Sequence, residues 1–245
     1  IARNLDGAVK RGKLDAGHRD RLLSDTLHTA TGYDALAGVD LTIEAVFEDM
    51  DVKGQVFAEL DRVLKPDAVI ATNTSYLDVA ALAATTSRPA DVIGLHFFSP
   101  AHVMKLLEVV VPDPTAPEVT ATGFALARKL GKVAVRAGVC DGFIGNRIQL
   151  AMAYEALSLL DRGVASAEEI DKAVKAGFGF RLPSLGIFEK VDQSGLEVHH
   201  EVEKYLMPEL DRGTDPSPIL EDLIDEGRTG IRSGQGIYDW SDSDP

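Results

Sequence analysis

Between residues 39 and 98 the sequence passes three times from a short apolar run into a polar stop, with helical spacing in between, and that rhythm admits few architectures. VDLTIEAVF, residues 39–47, has the length and β-branched content of a buried strand. The next segment places Val52, Val56, Leu60, Val63 and Leu64 on one helical face and ends at Lys65 and Pro66. AVIAT, residues 68–72, is a second strand that stops in the small polar residues Asn73, Thr74 and Ser75. Leu77, Ala81 and Leu82 mark a helix, and residues 92–98 a third strand. Strand and helix alternating through short connections predict an α/β half with a parallel sheet and covering helices. After a further apolar run ending at Val110, Thr115 and Glu118 form a capping-box pattern with Pro117 in the first turn, opening a helix that stops at Gly131. KVAV, from Lys132, closes this half as a strand.

From residue 138 the periodicity is helical, so we divide the chain into an α/β domain, residues 1–137, and an all-α domain, residues 138–245. A long apolar-faced helix is predicted over residues 143–160, ending near Gly163. Ser166 and Glu169 cap another that ends near Gly177. Further helices are predicted over residues 196–210 and 219–226, and the acidic SDSDP tail is expected to fray. The chain opens without methionine, and Ile1, Leu5, Ala8 and Val9 already have helical spacing before Gly12, which predicts a piece of a longer product.

Composition narrows the partners. The formal net charge of −14 and the lack of a basic stripe argue against nucleic acid. No apolar run approaches the roughly 18 to 20 residues of a membrane span, and no signal-like segment opens the chain, so a cytoplasmic location is expected. Cys140 is the only cysteine, which leaves neither a disulfide nor a cysteine-based zinc site, and no metal is expected.

The run VIGLHFFSPAHVMKLLEVV, residues 92–110, raises the chemical question. Two apolar stretches flank a turn at Ser99 and Pro100, and each carries one ionisable residue, His96 and Glu108, where an aliphatic side chain would pack better. Imidazole can exchange a proton near neutrality, and a carboxylate on its second nitrogen fixes the tautomer and stabilises the imidazolium. Ligands of open α/β sheets bind beyond the carboxyl ends of the strands. Glu48 follows the first strand, Asn73 and Ser75 follow the second, and His96 stands late in the third. Each residue also has a plainer reading: His96 as a satisfied core histidine, Glu108 as a surface or interface charge, Asn73 to Ser75 as a helix cap, Lys53 as a solvated lysine, and Asn146 as a solvent-facing residue on a helix capped by Asp141. SGQG, residues 233–236, follows no strand and starts no long helix, so it is read as a turn and not as a phosphate loop.

Taken together, IEAVFEDMDVK (residues 43–53), ATNTSYLDV (71–79), GLHFFSPAHVMKLLEVV (94–110), GVCDGFIGNRI (138–148) and GQGIYDW (234–240) resemble the 3-hydroxyacyl-CoA dehydrogenase family. They occur in the family order and span nearly the whole chain. The resemblance implies an incomplete Rossmann-like, NAD-binding parallel-sheet domain followed by a helical domain that mediates a homodimer. His96 would be the catalytic base and Glu108 its orienting partner, with Ser75 and Asn146 on the reacting oxygen or the substrate. Glu48 and Lys53 would lie near the nicotinamide, with Asn73 lining the same cleft. The implied reaction is NAD-dependent oxidation of an (S)-3-hydroxyacyl-CoA, and Lys53, Lys105 and Arg147 are candidates for a basic lining toward the anionic CoA.

Two departures from the family stand out. The sequence has no GxGxxG turn and no acidic residue about 20 positions after one, the pair that would choose between NAD and NADP. A sheet without that opening unit is expected to expose apolar strand edges. The second departure is FGFRLPSLGIFEKVDQSGLEV, residues 178–198, where the family carries a Pro-Met-Gly-Pro type of turn; Arg181 and Gln193 leave acyl-chain length open. Two rival readings remain at this point, a non-catalytic fragment or dimerisation module, and a dehydrogenase of a 3-hydroxy acid that does not use CoA.

Overall fold

The computed structural model describes residues 1–242; the last three residues of the SDSDP tail, and with them part of the expected fraying, lie outside the described residues. The chain forms two compact units, Ile1–Ile144 and Gly145–Pro245.

The first unit opens with α1 (Ala2–Lys10) and α2 (Ala16–Arg21) and continues through β1 (Leu41–Glu44), α3 (Met50–Val63), β2 (Val69–Thr72) and α4 (Val79–Ala83). β3 (Val92–Phe97), β4 (Leu106–Val110), α5 (Pro117–Lys129) and β5 (Val133–Ala137) complete it. The strands form one sheet in the order β1-β2-β3-β4-β5. β1, β2 and β3 are parallel, so their carboxyl ends share one edge, while β4 returns antiparallel to β3 and β5 runs parallel to β4.

Side chains alternate across this sheet. Phe57, Leu60, Ile70, Leu82, Val92 and Val110 are buried on one face beneath α3 and α4. Val69, Ala71, Ile93, Leu95, Leu107 and Val109 are buried on the other with Val119 and Ala127 of α5. Each such burial contributes about 1.5 to 3 kcal/mol for a Leu- or Phe-sized side chain. Gly94 is required by close approach: a Cβ there would stand 2.7 Å from Val110 Cβ and 3.3 Å from Val79 Cγ2.

Four local expectations are corrected. The strand expected over residues 39–47 spans only Leu41–Glu44, because the chain then turns and Val46 N–H donates to the Glu44 carboxylate at 2.6 Å. Of the face expected on α3, Leu60 and Leu64 are buried and Val56 and Val63 pack against the core, but Val52 is exposed and Lys53 and Phe57 are buried in addition. A lysine is tolerated there because it is paired in the interior, as described below. Thr115 caps nothing: its hydroxyl donates to Val92 C=O at 2.7 Å, and Ala116 occupies the N-cap of α5. The cap of α4 is likewise not within residues 73–75 but Asp78, whose carboxylate accepts from the amides of Ala80 and Ala81.

The described part of the second unit contains α6 (Gly145–Asp161), α7 (Ala167–Ala176), α8 (Phe178–Arg181), α9 (Ile187–Ser194), α10 (Leu196–Leu206) and α11 (Pro218–Asp225), with no strand. Ser166 caps α7 as expected, accepting from Glu169 N–H at 3.3 Å. α6 begins two residues after the predicted start, since Phe143 has φ +50° and is buried in the core of the first unit. SGQG is a turn: Gly234 has φ +78° and its carbonyl accepts from Trp240 N–H at 2.8 Å. None of the six helices contains a fully buried residue, and Phe180 and Phe188 are 82% and 84% exposed.

Candidate active site at the ends of the parallel strands

Antiparallel pairing sets His96 of β3 directly opposite Glu108 of β4, with both side chains on the same face of the sheet. His96 Nδ1 lies 2.7 Å from Glu108 Oε2, and the Glu108 side chain is completely buried. Its other oxygen accepts from Ile144 N–H at 3.0 Å. A carboxylate only accepts, so the neutral imidazole carries its proton on Nδ1, and Nε2 is the nitrogen that can take one. The ring is packed at centroid distances of 4.8 Å from Phe98 and 5.5 Å from Phe143. The positive φ of Phe143 is the backbone conformation that turns that ring toward His96 as the chain leaves the sheet domain.

A second cluster occupies the ends of β1 and β2. Glu48 Oε1 accepts from Ser75 N–H at 2.6 Å and from the Thr74 hydroxyl, and Glu48 Oε2 lies 3.2 Å from Lys53 Nζ. Burial pushes the Glu48 carboxyl upward, but hydrogen bonds from Thr74, Ser75 and Lys53 more than offset this and hold it below the usual glutamate value. Lys53 is buried, and its ammonium also meets Glu44 Oε1 at 2.9 Å and Val46 C=O at 3.3 Å. Three donors therefore face three acceptors, which is what lets a lysine occupy a core position of α3. Asn73 Oδ1 accepts from Phe97 N–H at 2.9 Å and ties the end of β2 to the end of β3, beside His96.

The first unit thus brings Glu48, Lys53, Asn73, Ser75, His96 and Glu108 to one edge of its sheet, while Asn146 stands half-buried on the first turn of α6 in the second unit. Lys53 is not the solvated lysine of its plainer reading; Lys105 and Arg147 are exposed. Sequence reasoning missed Glu44 and Thr72, whose side chains meet at 2.8 Å inside the sheet. The available signal was an acidic residue inside an otherwise apolar strand, nine positions before a lysine on a helical core face. No cluster of three or more potential metal ligands exists among the described residues, and no described helix is long and apolar enough to cross a membrane.

With this geometry in hand, likeness to known proteins is informative. Residues 1–140 match the family of the 3-hydroxyacyl-CoA dehydrogenase NAD binding domain, and residues 142–240 match the 3-hydroxyacyl-CoA dehydrogenase C-terminal domain. The chain is 47% identical over 215 residues to the peroxisomal bifunctional enzyme of Cavia porcellus, covering 83% of this chain but only 29% of that one. It is 36% identical over 242 residues to the 3-hydroxybutyryl-CoA dehydrogenase of Clostridioides difficile, covering 98% of this chain and 85% of the relative. It also resembles the crystal structure of 5-formyl-3-hydroxy-2-methylpyridine 4-carboxylic acid 5-dehydrogenase, an NAD+-dependent dismutase, with a TM-score of 0.81 at 31% identity over 85% of this chain and 68% of that one. Family matches over both units, together with a relative covered nearly end to end, show that this chain belongs to the 3-hydroxyacyl-CoA dehydrogenase family.

Proposed function

We propose that the protein oxidises the 3-hydroxyl of an (S)-3-hydroxyacyl-CoA to the 3-oxo thioester, reversibly, in fatty-acid β-oxidation or a related short-chain acyl-CoA route. The observation that carries this reading is the buried His96–Glu108 pair, one nitrogen committed to a carboxylate and the other left for proton transfer. NAD supplies the hydride acceptor when bound. His96 Nε2 takes the hydroxyl proton during oxidation and returns it during reduction, and Glu108 stabilises the imidazolium that forms in between. Such a positioned base contributes on the order of 10²- to 10⁴-fold. The Ser75 hydroxyl serves as a donor to the oxygen on which negative charge develops, and for Asn146 we carry over the substrate-holding role that the family resemblance implies.

The residues present fit the nicotinamide end of the cofactor. Parallel strands deliver Glu48, Asn73 and Ser75 to the carboxyl edge where α/β sheets take dinucleotides, and Glu48 is partly exposed there. Glu48 would hold that end, with Lys53 orienting Glu48 from the interior. A cytoplasmic homodimer belongs to the same reading, and the exposed Phe180 and Phe188 of the helical unit supply apolar surface for a second copy.

A dehydrogenase of a 3-hydroxy acid without CoA is the second reading, favoured by the likeness to the pyridine-carboxylate dehydrogenase. The deciding experiment is NADH oxidation by the full-length protein with acetoacetyl-CoA and, separately, with free acetoacetate. Turnover restricted to the thioester supports the first reading, and turnover of the free acid alone replaces it with the second.

A further inference from the structure

Glu44 belongs to no catalytic pair, yet its side chain is completely buried at the end of β1 and both its oxygens are hydrogen-bonded. Oε1 accepts from Lys53 Nζ at 2.9 Å and from Val46 N–H at 2.6 Å, and Oε2 accepts from the Thr72 hydroxyl at 2.8 Å. Followed outward, these bonds close on themselves. Thr72 Oγ1 in turn accepts from Thr74 N–H at 3.1 Å, the Thr74 hydroxyl donates to Glu48, and Glu48 Oε2 returns to Lys53 at 3.2 Å. One ring of hydrogen bonds and ion pairs thus joins the ends of β1, β2 and the first turn of α3. The Ser75 amide hangs from it on Glu48 at 2.6 Å.

We propose that Glu44 is a positioning residue: by holding Lys53 through one oxygen and Thr72 through the other, it fixes the turn at residues 72–75 and so the placement of Ser75 and Glu48. Two carboxylates share one buried ammonium. Without Glu44, Lys53 has only Glu48 and a carbonyl, and Thr72 loses its acceptor, so both routes from β1 to the turn slacken together. Buried networks of this kind rigidify when every member is satisfied, and placement errors near 1 Å at a reacting centre cost about 10²-fold in rate. This inference rests on the dehydrogenase reading for its catalytic consequence and on geometry alone for its local one.

The test uses the full-length protein carrying Glu44→Gln, Ser75→Ala, both together, and His96→Gln. Two quantities are read: exchange of the Ser75 amide by NMR without cofactor, and kcat with acetoacetyl-CoA and NADH. We expect Glu44→Gln to remain folded, to speed Ser75 amide exchange at least ~10-fold, and to lower kcat about 10²-fold. In the Ser75→Ala background the same substitution should lower kcat by less than about 2-fold, because coupled residues are not additive. Unchanged Ser75 exchange, or losses that simply multiply, overturns the proposal. If Glu44→Gln does not fold, the Glu44→Gln/Lys53→Met pair, which removes the buried ammonium together with the fully buried carboxylate and leaves Glu48 its bonds from Thr74 and Ser75, is read by the same two criteria. His96→Gln separates the two claims. An active His96→Gln sinks the catalytic reading whatever Glu44 does, while an inactive His96→Gln beside a normal Glu44→Gln sinks only the role of Glu44.

Discussion

His96 and Glu108 face each other across the β3–β4 ladder, and the imidazole Nδ1 meets the carboxylate Oε2 at 2.7 Å. Antiparallel pairing makes this contact a matter of register: a one-residue slip would put Glu108 on the opposite face, among the side chains packed under α5. The strands are therefore scaffold, and their two ionisable interruptions form one buried pair.

If His96 is the base, His96→Gln should lower kcat by about 10²- to 10⁴-fold while leaving NADH affinity within about 3-fold. Steady-state kinetics with a fluorescence titration of NADH provide both numbers. Turnover near that of the unmodified protein would remove His96 from the mechanism.

Glu108→Gln keeps the size of a wholly buried side chain but loses the anion that stabilises the imidazolium. We expect a folded protein whose kcat falls by at least about 10²-fold, as when the carboxylate behind a catalytic histidine is neutralised. A thermal melt run with the kinetics distinguishes this from unfolding.

Lys53→Met would leave Glu44 as a buried carboxylate without its cation, and removing one partner of such a pair is expected to destabilise by about 3 to 5 kcal/mol. Denaturant unfolding should show a lower midpoint. The Glu44→Gln/Lys53→Met double variant should recover part of that loss, and a double variant less stable than the single would contradict the pairing.

Gly94→Ala drives a methyl to within 2.7 Å of Val110 Cβ, on the side of the sheet that carries His96. Overpacking of that kind costs about 1 to 3 kcal/mol. Calorimetry should find a lowered Tm, and an unchanged Tm would mean that β4 moves freely at this point.

Glu48 titrates below the ordinary glutamate value of 4.5, burial being outweighed by Thr74, Ser75 and Lys53. A depressed carboxyl stabilises the fold above its unfolded value, and that contribution disappears as pH falls through the lower folded value. Tm should therefore decline below pH 4.5 more steeply in the unmodified protein than in Glu48→Gln. Parallel curves would show that the ring around Glu48 does not bear on stability.

Much of this was legible in the residues. Apolar periodicity located the five strands of the described sheet and α3, α4 and α5, because burying one face imposes a spacing on the sequence itself. The reach of β1 was overestimated, since nothing local reveals that Val46 turns its amide onto Glu44. The burial of Lys53 on α3 escapes the sequence for a similar reason. A lysine reads as polar until its partners are known, and those partners stand on β1 and in the loop after it.

The sequence by itself carried the order of the five sheet strands and of the longer helices α3, α5, α6, α7 and α10, and it pointed to Glu48, Asn73, Ser75, His96 and Glu108 as polar groups at strand ends or inside apolar runs, with Asn146 added by the family resemblance, because burial imposes a spacing on residue types. Only the tertiary structure decided which polar groups meet. Strand register put His96 opposite Glu108, and the turn after β1 brought Glu44, Thr72, Thr74, Glu48 and Lys53 into one ring. Those contacts join residues up to 28 positions apart in the chain, where pairing depends on how the sheet closes and not on neighbours in sequence.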